Sequence, residues 1–258
     1  MKPWQKIVLV ILGTGLVIAG IYLFRQSRPD QTTEQTGARQ LADAPTPTEN
    51  NFTFAVMADI HSDWESFKKG LEMAKSDGVD VVIVNGDLTT IGQKEELLAA
   101  KKILDEGGLP YYVLSGNHDI YLSQKMKVDL FAEVFGPPIT SFEKNNFLFI
   151  LIPQGELPGK TIERCLLITC LVFVHEPPYH PTSDHIMEPA KALKLLKLLK
   201  NNQAKTIFTG HLHYNMEYEF NGLRTIISGA LGRERNLQSP RFLEYTPLTG
   251  EVKTVILN

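Results

Sequence analysis

Apolar and polar positions follow two rhythms along this chain, and the switches between them lay out its elements. FTFAVMAD, from Phe52, reads as a strand. SDWESFKKGLEMAKSDG changes to a helical period, with Trp64, Phe67, Leu71 and Ala74 on one face. Ser62 and Glu65 have the spacing of a capping box, and Gly78 is a stop. VDVVIVNGD is a buried strand, QKEELLAAKKILDEGG a helix ending in two glycines, and LPYYVLSGNHD a third strand and turn. Strand-helix-strand-helix-strand predicts a parallel α/β core with crossover helices. The second half is richer in strands. SFEKNNFLFILIP predicts a hairpin around Asn145–Asn146, and CLVFVHEPPY a strand entering a proline-rich loop. PAKALKLLKLLKNN is the clearest amphipathic helix, its leucines facing the core and its lysines water. Two more hairpins are predicted at Asn221–Gly222 and Thr249–Gly250.

The N-terminus breaks both rhythms. Ile7–Phe24 is 18 residues without a charge, near the lower limit for a bilayer-spanning helix. Trp4 and Tyr22 suit the two interfaces, with Lys2, Lys6, Arg25 and Arg28 outside them. A cleaved signal peptide is the rival, but its apolar core should be shorter and no small-x-small site follows directly. The expectation is a tail at 1–6, an anchor at 7–24 set in a lipid bilayer, a Thr-, Gln- and Pro-rich disordered tether at 25–50, and a globular domain at 51–258. The amino terminus favours a cytoplasmic N-terminus and an extracytoplasmic domain.

Composition narrows the function classes. With 258 residues and a net charge of −3, the chain has no basic stripe and no general affinity for nucleic acid is expected. Cys165 and Cys170 share the apolar run CLLITCLVFV. On one strand they would lie about 16 Å apart, too far to bridge, so they read as buried free thiols.

Five of the seven histidines fall in short blocks directly after predicted strands. In chain order the blocks are DIH (Asp59–His61), GD (Gly86–Asp87), GNHD (Gly116–Asp119), HEPP (His175–Pro178) and GHLH (Gly210–His213). The carboxyl edge of the strands is where open α/β sheets bind ligands. On extended backbone, positions i and i+2 of DIH and HLH point the same way, so each block can deliver two ligands to one metal. Carboxylate, imidazole and amide oxygen without thiolate suit Mn, Fe or Zn better than Ca. Asp87 can bridge two cations, and two metals about 3.5–4 Å apart can clamp a phosphoryl group. Asn117 binds through a neutral oxygen, His118 is left beside the phosphate, and Asp119 can orient its ring. His180 and His185 read as solvent-exposed loop histidines.

Taken together, the five blocks resemble the signature of the calcineurin-like metallophosphoesterases over Phe52 to the C-terminus. The resemblance implies a four-layer α/β/β/α sandwich with a dinuclear site at the strand ends. By motif, Asp59, His61 and His213 would hold one divalent ion and Asn117, His175 and His211 the other, with Asp87 between them. His118 would stabilise the transition state or protonate the leaving oxygen, oriented by Asp119, and a metal-bridging hydroxide would attack a phosphate mono- or diester. The sequence departs from the family in two places. Glu176 stands where many relatives have a second histidine. Only PQGELPGKTIERCLLIT separates FLFILI from CLVFVH, where relatives insert a long helix, so one sheet face is expected to be thinly covered. The rival function is a non-catalytic phosphate- or partner-binding protein on the same fold.

Overall fold

The computed structural model describes residues 52–257. The anchor and tether expected at 7–24 and 25–50 lie outside them. Among the described residues no helix is long and apolar enough to cross a membrane.

The first half forms the expected crossover unit: β1 (Phe54–Met57), α1 (Trp64–Ser76), β2 (Val81–Asn85), α2 (Lys94–Gly107) and β3 (Tyr111–Leu114). The three strands are parallel, β1 beside β2 beside β3. Two short helices without a sequence signal follow, α3 (Tyr121–Met126) and α4 (Leu130–Phe135). Next come β4 (Ser141–Lys144), β5 (Phe147–Ile152), a 3-10 helix (Gly159–Leu166), β6 (Thr169–Val174), α5 (Pro189–Asn201) and β7 (Thr206–Thr209). The chain closes with β8 (Asn215–Phe220), β9 (Leu223–Ser228), β10 (Arg241–Thr246) and β11 (Glu251–Ile256). The three hairpins turn where the sequence places them.

The strands make two sheets, ordered β11-β10-β1-β2-β3 and β4-β5-β6-β7-β9-β8. Period-2 alternation sorts their side chains between layers. Phe54, Val56, Ile83, Phe149, Leu151, Phe173 and Phe208 point into the space between the sheets. Ala55, Met57, Val82 and Val84 point outward onto α1, α2 and α4. Leu148, Ile150, Val172 and Ile207 point outward onto α5 and the 3-10 helix. The result is helix, sheet, sheet, helix, a mixed α/β fold with two packed sheets.

Three local expectations are corrected. The N-cap of α1 is Asp63, whose carboxylate accepts the Ser66 N–H at 3.1 Å. Ser62 instead sits at φ 62° and gives its hydroxyl to Glu96, so no Ser62–Glu65 box forms. Cys165 and Cys170 are not free thiols on one strand. The 3-10 helix carries Cys165 and doubles back to β6, bringing the Cα atoms to 5.3 Å, and the two form a disulfide. The same short helix packs on this sheet face, with Ile162 and Cys165 in one buried cluster with Leu148, Ile150 and Val172. That face is covered, although Leu167 is left 92% exposed.

Candidate metal centre

The ligand-bearing turns all leave the carboxyl ends of strands, but on backbone that is not extended. Asp59, His61, Asp87, His211 and His213 have φ of 54°, 47°, 54°, 69° and 56°. Asp and His tolerate this left-handed region better than most residues, although each such position costs about 1–3 kcal/mol. Ladder pairing has ended, so the chain must turn across the sheet edge. The N–H groups of Ile60 and His61 both bond the Asp87 carbonyl, at 2.8 and 3.1 Å. HLH is therefore not an extended block aiming both histidines at one ion, whereas the family resemblance already assigned them to different ions. Left-handed geometry at His211 and His213 sends the two rings to different groups.

Asp59, His61 and His213 form one group of possible ligands, Asp87, His175 and His211 another. His61 Nε2 lies 3.0 Å from His213 Nε2, and His213 Nε2 lies 3.5 Å from Asp59 Oδ1. His175 Nε2 is 3.0 Å from Asp87 Oδ2 and 3.8 Å from Asp59 Oδ1. His61 Nε2 is 3.9 Å from the same Asp87 Oδ2, which places that carboxylate between the groups. Gly116 makes the approach possible: a Cβ there would fall 2.1 Å from Asp87 Oδ1.

Three buried polar atoms on the ligand-bearing turns have no hydrogen-bond partner, Asp87 Oδ2, Asn117 Oδ1 and His175 Nε2, the first and last facing each other at 3.0 Å. Such atoms are costly unless something else satisfies them, and cations do so. The opposite ring nitrogens are held as ligand imidazoles require. His175 Nδ1 donates to the Asn85 carbonyl at 2.9 Å, and His213 Nδ1 to that of Arg235 at 3.0 Å. Burial lowers the pKa of His61 to about 3 and of His211 to about 4, keeping both in the neutral, ligating form. Burial lifts Asp59 to about 8, with Asp87 adding to it. Burial opposes a charge on His175 too, but the Asp87 and Asp59 carboxylates outweigh it and raise the ring to about 10. The two carboxylates thus favour positive charge beside His175. Carboxylates, imidazoles and an amide oxygen fit divalent transition metals.

Asp119 is placed differently from expectation. The His118 N–H bonds Asp87 Oδ1 at 2.9 Å, and its ring stands 4.7 Å from that of His61. Its Nδ1 donates to the Thr90 carbonyl at 2.6 Å, which leaves Nε2 toward the cluster. Asp119 does not orient this ring. It is fully buried and accepts from the Thr89 N–H, the Thr89 hydroxyl and the Gly116 N–H at 3.0, 2.8 and 2.9 Å. It ties the β2 turn to the β3 turn. His180 is also corrected: it is buried, accepts the Ser183 N–H at Nδ1 and bonds the Tyr214 hydroxyl, whereas His185 is exposed as expected.

Comparison with known proteins agrees with this geometry. Residues 52–215 match the model of the calcineurin-like phosphoesterases. The chain belongs to that family. It is 26% identical over 162 residues to a probable glycerophosphodiester phosphodiesterase, GpdQ, of Arcobacter nitrofigilis. That match takes in 52% of this chain and 56% of the relative, so the chain spans little more than half of its length. Among solved structures, TT1561 of Thermus thermophilus is similar at a TM-score of 0.59 and 14% identity, over 80% of this chain and 99% of that one. A dimetal phosphatase from Danio rerio gives 0.55 and 14%, over 81% and 99%. At such identities the likeness concerns the fold.

The sequence reading of this calcineurin-like site missed Thr89, Thr90 and Arg235. Thr89 and Thr90 act through short-range bonds to motif residues, and the LTT after GD is the only local hint. Arg235 lies in a loop with no motif.

Proposed function

We propose that this chain is a membrane-anchored phosphoesterase that hydrolyses phosphate esters, diesters first among them, at a centre of two divalent metal ions. Asp59, His61 and His213 would hold one ion, Asn117, His175 and His211 the other, with Asp87 shared. The observation that carries this reading is that Asp87 Oδ2 and His175 Nε2, 3.0 Å apart, and the Oδ1 of Asn117 on the neighbouring turn are all buried without a hydrogen-bond partner. Bound there, two ions supply charge neutralisation at the phosphoryl group and an activated water.

The side chains contribute the rest. Thr90 fixes the His118 ring with Nε2 inward, where the imidazolium form can protonate the leaving oxygen. Asp119 holds the Asp87 and Asn117 turns in register. The relative named as a glycerophosphodiester phosphodiesterase makes a diester the first substrate to try. An extracytoplasmic domain behind an anchor at Ile7–Phe24 is supported by the Cys165–Cys170 disulfide, since such bonds persist in oxidising compartments.

The test is hydrolysis by the Mn-loaded chain of a bis-aryl phosphodiester beside an aryl phosphomonoester, with Asp87→Ala and His118→Ala as controls. Diester cleavage lost in both variants is expected. Two bound ions with no turnover of either ester would favour the non-catalytic binding protein instead.

A further inference from the structure

Arg235 faces the metal cluster with no carboxylate to pair with among the described residues. The chain between β9 and β10 crosses the sheet edge, seated on the backbone of two of the ligand-bearing turns, those of Asp59 and His213. Leu231 N–H bonds the Ala58 carbonyl at 2.9 Å, Gly232 N–H that of Asp59 at 3.0 Å, and Leu237 N–H that of His213 at 3.2 Å. The approach is so close that a Cβ on Gly232 would stand 2.4 Å from the Ile60 carbonyl oxygen.

Two arginines leave this loop with different fates. Arg233 is committed to Asp63, at 2.9 Å, and to Glu65, at 2.6 Å. Arg235 makes no ion pair among the described residues, and its Nη1 comes 3.5 Å from His118 Nε2. Its backbone is held at φ 57°, and its carbonyl takes the His213 Nδ1 proton. One residue therefore fixes a metal-ligand ring through its main chain and brings a free guanidinium to the proposed acid through its side chain.

We propose that Arg235 is a substrate-binding residue whose guanidinium grips the non-bridging oxygens of the phosphate ester; this rests on the phosphoesterase reading of the cluster. Beside His118 this cation pairs with no carboxylate and has only the long 3.5 Å contact with Nε2 to give up, and its planar fork matches two oxygens of one phosphate. The exposed side chain can swing to meet them while the loop beneath stays pinned.

The experiment compares wild-type full-length chain with Arg235→Asn and Arg235→Lys. Asparagine tolerates the left-handed backbone, so the carbonyl that holds His213 survives while the guanidinium is removed. Inorganic phosphate is titrated calorimetrically into each Mn-loaded protein, metal content is measured, and KM and kcat are taken for the monoester and the diester. Arg235→Asn should keep its metal, bind phosphate about 10- to 100-fold more weakly, the loss of charge-assisted hydrogen bonds, and change KM more than kcat. The dianionic monoester should suffer more than the diester, and Arg235→Lys should recover part of the loss. Phosphate affinity and KM within twofold of wild type would overturn the proposal. So would a loss that tracks metal release, or a wild type that binds no phosphate. If wild type binds phosphate but cleaves neither ester, the catalytic reading fails, while the Arg235→Asn titration still decides the role of Arg235.

Discussion

Asp119 bonds Thr89, not His118: its Oδ1 takes both the Thr89 N–H, at 3.0 Å, and the Thr89 hydroxyl, at 2.8 Å. The pair is buried, so its loss strands donors that water cannot reach. Asp119→Asn should lower unfolding stability by about 1–3 kcal/mol, because an amide cannot accept from all three donors in the same way. The shape of the pH–rate profile should be unchanged. Calorimetric melting beside that profile is the check; a shifted profile with an unchanged melting point would restore Asp119 as the partner of the His118 ring.

The shared carboxylate sets up a second expectation. Wild-type protein should carry two divalent ions per chain by elemental analysis after gel filtration. Asn117→Ala should retain close to one, since Asp59, His61 and His213 are untouched by it. Stripping with a chelator should cost about 2.7 kcal/mol for each ion removed, relative to protein at 100 times the dissociation constant. One ion in wild type would refute the two-metal assignment.

Gly116→Ala tests the approach of the β3 turn to Asp87. Its Cβ would meet Asp87 Oδ1 at 2.1 Å and the Asp87 backbone nitrogen at 2.5 Å. A loss of about 1–3 kcal/mol in stability is expected, together with reduced metal content. A variant that keeps both would show that the turn can shift without disturbing Asp87.

His180 supplies a pH dependence. Burial lowers its pKa below 6.5, and Nδ1 accepts the Thr182 and Ser183 N–H groups at 3.2 and 2.8 Å, which requires an unprotonated nitrogen. The fold therefore prefers the neutral ring. Its contribution is complete above pH 6.5 and is lost as pH falls from there through the lower folded value, because the unfolded chain takes up the proton first. In urea unfolding, His180→Asn should cost about 1 kcal/mol at pH 7.5, and the difference from wild type should shrink toward pH 5. A difference independent of pH would exclude this ring as its source.

Reducing the disulfide should destabilise the domain by about 2 kcal/mol, from the chain entropy of a loop closed over a separation of five residues. Cys165→Ser should lose the same amount and become insensitive to reductant. Melting with and without dithiothreitol reads both.

Much of the fold was legible because period-2 and helical patterning is local. The apolar runs FTFAVM and VDVVIV already mark strands, and Asn145–Asn146 and Asn221–Gly222 already specify turns. The short helices α3 and α4 left no such mark, being too brief for a periodic signal. The disulfide was misread because a bend between Cys165 and Cys170 is invisible to a strand-spacing rule.

By itself the sequence determined the order of five ligand-bearing blocks and the strand ends that carry them, since alternation, glycines and motif residues are properties of neighbours along the chain. Packing alone set Asp119 against Thr89 and Gly116, and brought Arg235 to His118 across 117 positions. These depend on left-handed turns and on which backbones touch at the sheet edge. Such contacts come from packing two sheets together, and no local pattern encodes them.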